Sequence, residues 1–190
     1  MADHLEKIKN FDSTRHLVLY SGGADSTLFI GLNESSKYLL HYPPLNIMAT
    51  KIASHNALRL NKHLNIATAS SLPKDGELSE VHGLYDVGML VDAGIYAIRH
   101  GFDGIVACFN KDDLGCDFKA IQCILEKYKP GFEIALPLLH IDQRSVLNEL
   151  KNRDLRFGSA AYSKEAQTLF YNNEEANGMT SLKAIECLQN

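Results

Sequence analysis

Apolar residues fall along this chain in two rhythms. Short runs at residues 17–20, 45–52, 65–69, 104–109 and 133–139 alternate with stretches whose apolar positions recur every three or four residues. The runs predict strands and the stretches predict helices. The first run, Leu17, Val18, Leu19 and Tyr20, meets Ser21-Gly22-Gly23 without a spacer and continues through Asp25, Ser26 and Thr27 into Leu28, Phe29 and Ile30. That is strand, tight loop and helix. Before it, Leu5, Ile8 and Phe11 predict a short amphipathic helix. After it, a helix is expected over 26–33, with 38–41 extending the element until Pro43-Pro44 stops it.

The near-continuous run at 45–52 fits a second strand covered on both faces, and Ser54 is placed to cap a helix reaching Leu64. A third strand follows at 65–69. Residues 70–80, with Pro73 and Asp75-Gly76, form a long loop suited to walling a site. Residues 82–100 give a long helix with the stripe Leu84, Val87, Val91, Ile95 and Ile98. Gly101 is its stop, and Gly88 and Gly94 allow close packing on the sheet. A helix over 119–128, with Ala120, Ile121, Ile124, Leu125 and Tyr128 inward, ends at Pro130-Gly131. Asp142 caps the next helix, with Ile141 and Val146 as its hydrophobic staple. Beyond Lys151 the pattern weakens until a helix at 181–188.

Alternating strands and helices imply a doubly wound α/β domain with a parallel sheet. Ligands then bind beyond the carboxyl ends of the strands, so residues 21–26, 50–54, 70–71, 110–117 and His140 are expected on one rim. The 190 residues suit one such domain over 1–150 with a partly helical extension over 151–190. The net charge of −4 and the lack of a Lys/Arg block argue against nucleic acid as a partner. No apolar run suits a membrane span, and Asp3, Glu6 and Lys7 interrupt any signal-like start, so a cytoplasmic setting is expected. Cys108, Cys116, Cys123 and Cys187 contain no C-x-x-C pair, which weakens a zinc ribbon or a redox motif.

The chemistry starts at Ser21-Gly22-Gly23. Two glycines after a buried strand leave backbone N–H groups uncovered, and the helix that follows adds its positive end, so the loop suits a phosphate or pyrophosphate. Ser21, Ser26 and Thr27 add hydroxyls, while Asp25 beside an anion suggests Mg²⁺ held between them. A plain βα turn, with Asp25 and Ser26 capping the helix, is the competing reading. No G-x-x-x-x-G-K-[ST] and no G-x-G-x-x-G occurs.

Ser21-Gly22-Gly23-Ala24-Asp25-Ser26 resembles the SGGxDS loop of the PP-loop ATP pyrophosphatases. The resemblance implies ATP and Mg²⁺ as cofactors, strand order 3-2-1-4-5 in an adenine nucleotide alpha hydrolase-like fold, and adenylation of a substrate oxygen with release of pyrophosphate. It assigns Ser21, Gly22, Gly23, Ala24, Asp25, Ser26 and Thr27 to the nucleotide, Asp25 to the metal, and Asp25 with Ser26 to catalysis. Met48, Ala49 and Thr50 are expected near adenine.

Within that superfamily, Phe109-Asn110-Lys111-Asp112-Asp113, Cys116-Asp117, Leu136-Pro137-Leu138 and Ile141-Asp142 resemble the 7-cyano-7-deazaguanine synthase branch. This implies a small-molecule substrate such as a deazapurine carboxylate in queuosine-pathway chemistry, met by Asn110, Lys111, Asp112, Asp113 and Asp117. The order Cys116-Asp117 is reversed from that branch, and its zinc-binding cysteine cluster is missing. A tRNA-modifying sulfurtransferase or lysidine-type ligase is the alternative, and a non-catalytic nucleotide-binding module is a second. A homo-oligomer is expected to complete the pocket.

Overall fold

The structure is a computed structural model, and it describes residues 2–43, 47–68, 82–111, 117–153, 155, 157–160 and 169–171. Strand β1 (His16–Leu19) lies at the centre of a five-stranded sheet. It pairs in parallel with β2 (Tyr38–His41) through Leu17↔Tyr38 and Leu19↔Leu40, and with β4 (Gly104–Val106) through His16↔Gly104 and Val18↔Val106. Outside these lie β3 (His63–Ile66) on β2 and β5 (Glu133–Ala135) on β4, also parallel. The order β3-β2-β1-β4-β5 is the one the loop resemblance implies.

Side chains alternate across a strand, so β1 sends Leu17 and Leu19 into one core and Val18, followed by Tyr20, into the other. The Val18 face is covered by α1 (Ala2–Asn10), α2 (Ala24–Leu32), α3 (Ile47–Arg59) and α6 (Gln143–Asn152), through Ile8, Leu28, Ala53, Ala57, Val146 and Leu150. The Leu17 face is covered by α4 (His82–Arg99) and α5 (Phe118–Glu126), through Leu90, Ala93, Ala97, Ile121 and Leu125. Asp142 caps α6 by accepting from Ser145 N at 2.8 Å, and Ile141 and Val146 are both buried as a staple requires.

The second strand is not where the apolar run put it. Residues 47–52 begin helix α3, whose inward positions Ile52, Ala53 and Ala57 follow a helical period, while the strand is the shorter Tyr-Leu-Leu-His segment 38–41. A short apolar run does not distinguish a buried strand from a buried helix turn, and Pro43 here follows a strand rather than stopping a helix. Leu64 falls in β3, and Ser54 sits inside α3 with its hydroxyl on Thr50 O rather than at a cap. Val87, Val91, Ile98, Ile121 and Leu125 pack inward as expected, while Ile95, Ala120, Ile124 and Tyr128 are exposed and Gly94 packs against Leu125 of α5 rather than on the sheet.

Leu155 and Phe157 are buried in the Val18 core, ahead of an antiparallel pair β6 (Gly158–Ala160) and β7 (Leu169–Tyr171). The expected loop at 70–80 and helix at 181–188 lie outside the described residues, as do Asp112, Asp113, Cys116 and Cys187. Among the described residues no helix is long and apolar enough to cross a membrane.

At the end of the sheet away from the loop, Asn33 fastens α2. Its side chain accepts from Ser13 Oγ (2.6 Å) and Ser36 N (2.8 Å) and donates to Ile8 O and Phe11 O. Lys62 Nζ donates to Asn33 O and Ser36 Oγ, and burial lowers its pKa to about 8. Between that value and the ordinary 10.5 the unfolded chain holds a proton that the fold has released, so stability rises with pH across this window. Thermal midpoints taken from pH 7.5 upward are expected to rise for the wild type relative to Lys62→Met; a constant difference would contradict the assignment. Gly104 is a second constraint, because a Cβ there would stand 2.5 Å from the Glu133 carbonyl oxygen of the neighbouring strand. Gly104→Ala is expected to cost about 3 kcal/mol in urea unfolding, the upper end of overpacking costs.

Candidate active site

Strand β1 ends against a fixed scaffold. Tyr20 N donates to Leu40 O at 2.8 Å, and Tyr20 O accepts from His41 Nδ1 at 2.7 Å. A carbonyl can only accept, so Nδ1 of His41 carries the hydrogen, and burial keeps the ring neutral by lowering its pKa. Nε2 then accepts from the Thr50 hydroxyl at 3.0 Å. His41 thus ties the end of β1 to the first turn of α3. The Tyr20 hydroxyl meets Thr27 Oγ1 at 3.2 Å and receives Asn56 Nδ2 at 2.8 Å. Burial pushes its pKa up, so it remains a neutral phenol.

From this anchor the chain turns at Gly22, whose φ of +83° lies in the left-handed region, and Gly23 takes the N-cap of α2. Gly23 contributes no side chain to the first helical turn, so the N-cap residue itself makes no side-chain cap at this helix N-terminus. Gly23, rather than Asp25 or Ser26, holds the N-cap position. Ser21 Oγ and Ser26 Oγ converge at 3.0 Å, and Gly23 N donates to Ser21 Oγ at 3.1 Å. Ser21 is exposed and Ser26 buried, so the pair spans the loop from mouth to floor. Thr27 differs from its expected place: it is fully buried, with its hydroxyl on Tyr20 and Gly22 O, and it supports the loop from beneath.

Asp25 is half-buried on the first turn of α2 and accepts from Asn110 Nδ2 at 2.9 Å. Asn110 lies just beyond β4 and also donates to Gln143 Oε1 of α6 at 2.6 Å. Nearby Cys108 has its thiol pushed well up, first by burial and then by the Asp25 charge. Loop, Asp25, Asn110 and the α6 N-terminus therefore share the carboxyl end of the sheet, as expected for a doubly wound fold.

The other expected residues are placed as follows. Met48, Ala49 and Thr50 occupy the start of α3 rather than a strand end. Lys111 is exposed, with its backbone N–H on Ile141 O at 3.1 Å. Asp117 caps α5 by accepting from Ala120 N. His140 is exposed beside the ring of His4, 6.1 Å between centroids. Gln143, His41, Tyr20 and Asn56 were not singled out by the sequence. Gln143 carries only the weak signal of following an N-cap aspartate.

The residues fit a magnesium polyphosphate. A left-handed glycine turn, an uncapped helix start and a paired-serine mouth suit the anion, and a held carboxylate beside them suits the cation.

No protein-family model matches the chain, and no curated protein matches it. Among solved structures it is similar to the NH3-dependent NAD synthetase from Campylobacter jejuni subsp. jejuni NCTC 11168 in complex with the nitrate ion, at 17% identity and a TM-score of 0.50 over 81% of this chain and 70% of that one. It is also similar to the NMN synthetase from Francisella tularensis, at 15% identity and a TM-score of 0.55 over 81% of this chain and 71% of that one. At such identities the likeness is one of fold, and the chain shares the α/β fold of these two synthetases.

Proposed function

We propose that this chain is an ATP-dependent adenylating enzyme of the PP-loop type. The carrying observation is the uncapped, glycine-turned start of α2 with the Asp25 carboxylate held at the same mouth. A carboxylate or amide oxygen of the acceptor attacks the α-phosphorus of ATP. An O–P bond forms, the bond to the α–β bridging oxygen breaks, and pyrophosphate leaves with that electron pair.

Loop amides and the Ser21 and Ser26 hydroxyls would receive the pyrophosphate charge where it grows; one donor of this kind is worth about 3–4 kcal/mol in a dry site. Asp25 would hold a divalent cation, which supplies charge neutralisation on the phosphate oxygens. Tyr20, Thr27 and His41 keep the loop in place. Ammonia then displaces AMP from the activated carbonyl carbon and loses a proton to give an amide; where an amide is activated in turn, the adenylated imidate loses AMP and its N–H proton to give a nitrile. The NH3-dependent synthetase among the structural neighbours supports ammonia as the nitrogen source. For the acceptor we favour a deazapurine carboxylate in 7-cyano-7-deazaguanine synthase-like, queuosine-pathway chemistry. The likeness of Leu136-Pro137-Leu138 and Ile141-Asp142 to that branch, with exposed Lys111 at the same end of the sheet, supports that reading, and the setting is cytoplasmic, where ATP is supplied.

Calorimetric titration of ATP with and without Mg²⁺ tests the proposal. The wild type is expected to bind in a Mg²⁺-dependent manner, and Asp25→Asn to bind at least about tenfold more weakly, a difference of about 1.4 kcal/mol. No binding by the wild type would reduce the loop to a structural turn. Gly22→Ala and Gly101→Ala form a matched pair, since their φ values are +83° and +81° and they stand at opposite ends of the sheet. Each is expected to lower stability by about 1–2 kcal/mol in urea. Only Gly22→Ala is expected to weaken Mg²⁺-ATP; equal binding by both variants would detach the loop from the nucleotide.

A further inference from the structure

Asn110 is a fully buried amide that joins separate parts of the fold. Its Nδ2 reaches Asp25 Oδ1 on the first turn of α2 at 2.9 Å and Gln143 Oε1 at the start of α6 at 2.6 Å. The direction of that amide is fixed by its acceptors. Turned by half a rotation, Oδ1 would face a carboxylate and a carbonyl oxygen with no hydrogen between them. The surrounding frame is rigid: Lys111 N donates to Ile141 O, Asp142 caps α6, and α6 packs on α2 through Val146, Leu147 and Leu150.

A primary amide does something here that a cation would not. Lysine or arginine beside Asp25 would hold the carboxylate and cancel its charge. A neutral N–H donor fixes the carboxylate without adding a charge of its own. Bound to one oxygen, it also biases which oxygen meets the metal. Gln143 occupies the second N–H of Asn110 and so stops the amide from rotating away.

We propose that Asn110, held by Gln143, is the positioning residue that presents Asp25 to the divalent cation on ATP, in place of the substrate contact expected from the sequence. The proposal rests on the reading of Asp25 as the metal-holding group. It separates Asn110 from any residue that meets the acceptor: its effect passes through Asp25 and is absent without Asp25.

The test is a double-variant cycle read as ATP affinity by calorimetry, with Mg²⁺ and with a chelator. Asn110→Ala is expected to lower Mg²⁺-ATP affinity about tenfold while leaving metal-free ATP affinity unchanged. In an Asp25→Asn background the same change is expected to add nothing. Gln143→Met, on the surface side of the amide, keeps the question answerable if Asn110→Ala fails to fold. It is expected to cost about threefold in Mg²⁺-ATP affinity, again only when Asp25 is present. Losses that appear equally without metal, or that add to the Asp25→Asn loss, would overturn the positioning role and leave Asn110 as structural. Wild-type Mg²⁺ dependence that Asp25→Asn does not alter would overturn the metal reading of Asp25 itself, and the proposal with it.

Discussion

Everything at the site depends on β1 being buried on both faces and paired on both edges. Leu17 and Leu19 enter one core, Val18 and Tyr20 the other, and β2 and β4 occupy the two edges. A slip of one residue would exchange every side chain between cores, so the position of Tyr20 is set by the whole sheet. The chain must then leave the sheet at one place and turn sharply there. Gly22 makes the turn, and His41 satisfies the Tyr20 carbonyl where the ladder ends. A loop hung this way is held by the elements around it, and on the proposed reading it would need little reorganisation to receive an anion.

The same geometry explains what could be read from the chain. The loop was legible because its signal is local and chemical: two glycines and a carboxylate between a strand and a helix admit few backbones. The strand order came with the resemblance carried by that loop. The cap of α6 at Asp142 and the left-handed stop at Gly101 were equally local, whereas Asp117, expected at the substrate, caps α5. By contrast, β2 was missed because Tyr38–His41 takes its identity from lying between two other strands, while residues 47–52 of the more apolar run open a helix. The stripes of α4 and α5 pack inward at Val87, Val91, Ile98, Ile121 and Leu125, while Ile95 and Ile124 are left outside and small residues, Ala93, Gly94 and Ala97, make the close contact.

Site residues divide along the same line. Ser21, Ser26 and Asp25 come from one continuous segment and were visible in it. Gln143 lies over a hundred residues from Asp25 and reaches it through Asn110, so no spacing announces it. Thr27 was expected at the nucleotide because its hydroxyl adjoins the motif. In the fold, the helical period turns it inward onto Tyr20, where it stiffens the loop instead.

The central claim is that this loop receives pyrophosphate, so ATP must be cleaved between its α- and β-phosphorus atoms. Exchange of labelled pyrophosphate into ATP, with Mg²⁺ and a deazapurine carboxylate present and ammonia withheld, addresses that bond directly. Label appearing in ATP only when the carboxylate is supplied is the predicted result. ADP and inorganic phosphate as the products, with no label returned to ATP, would contradict it.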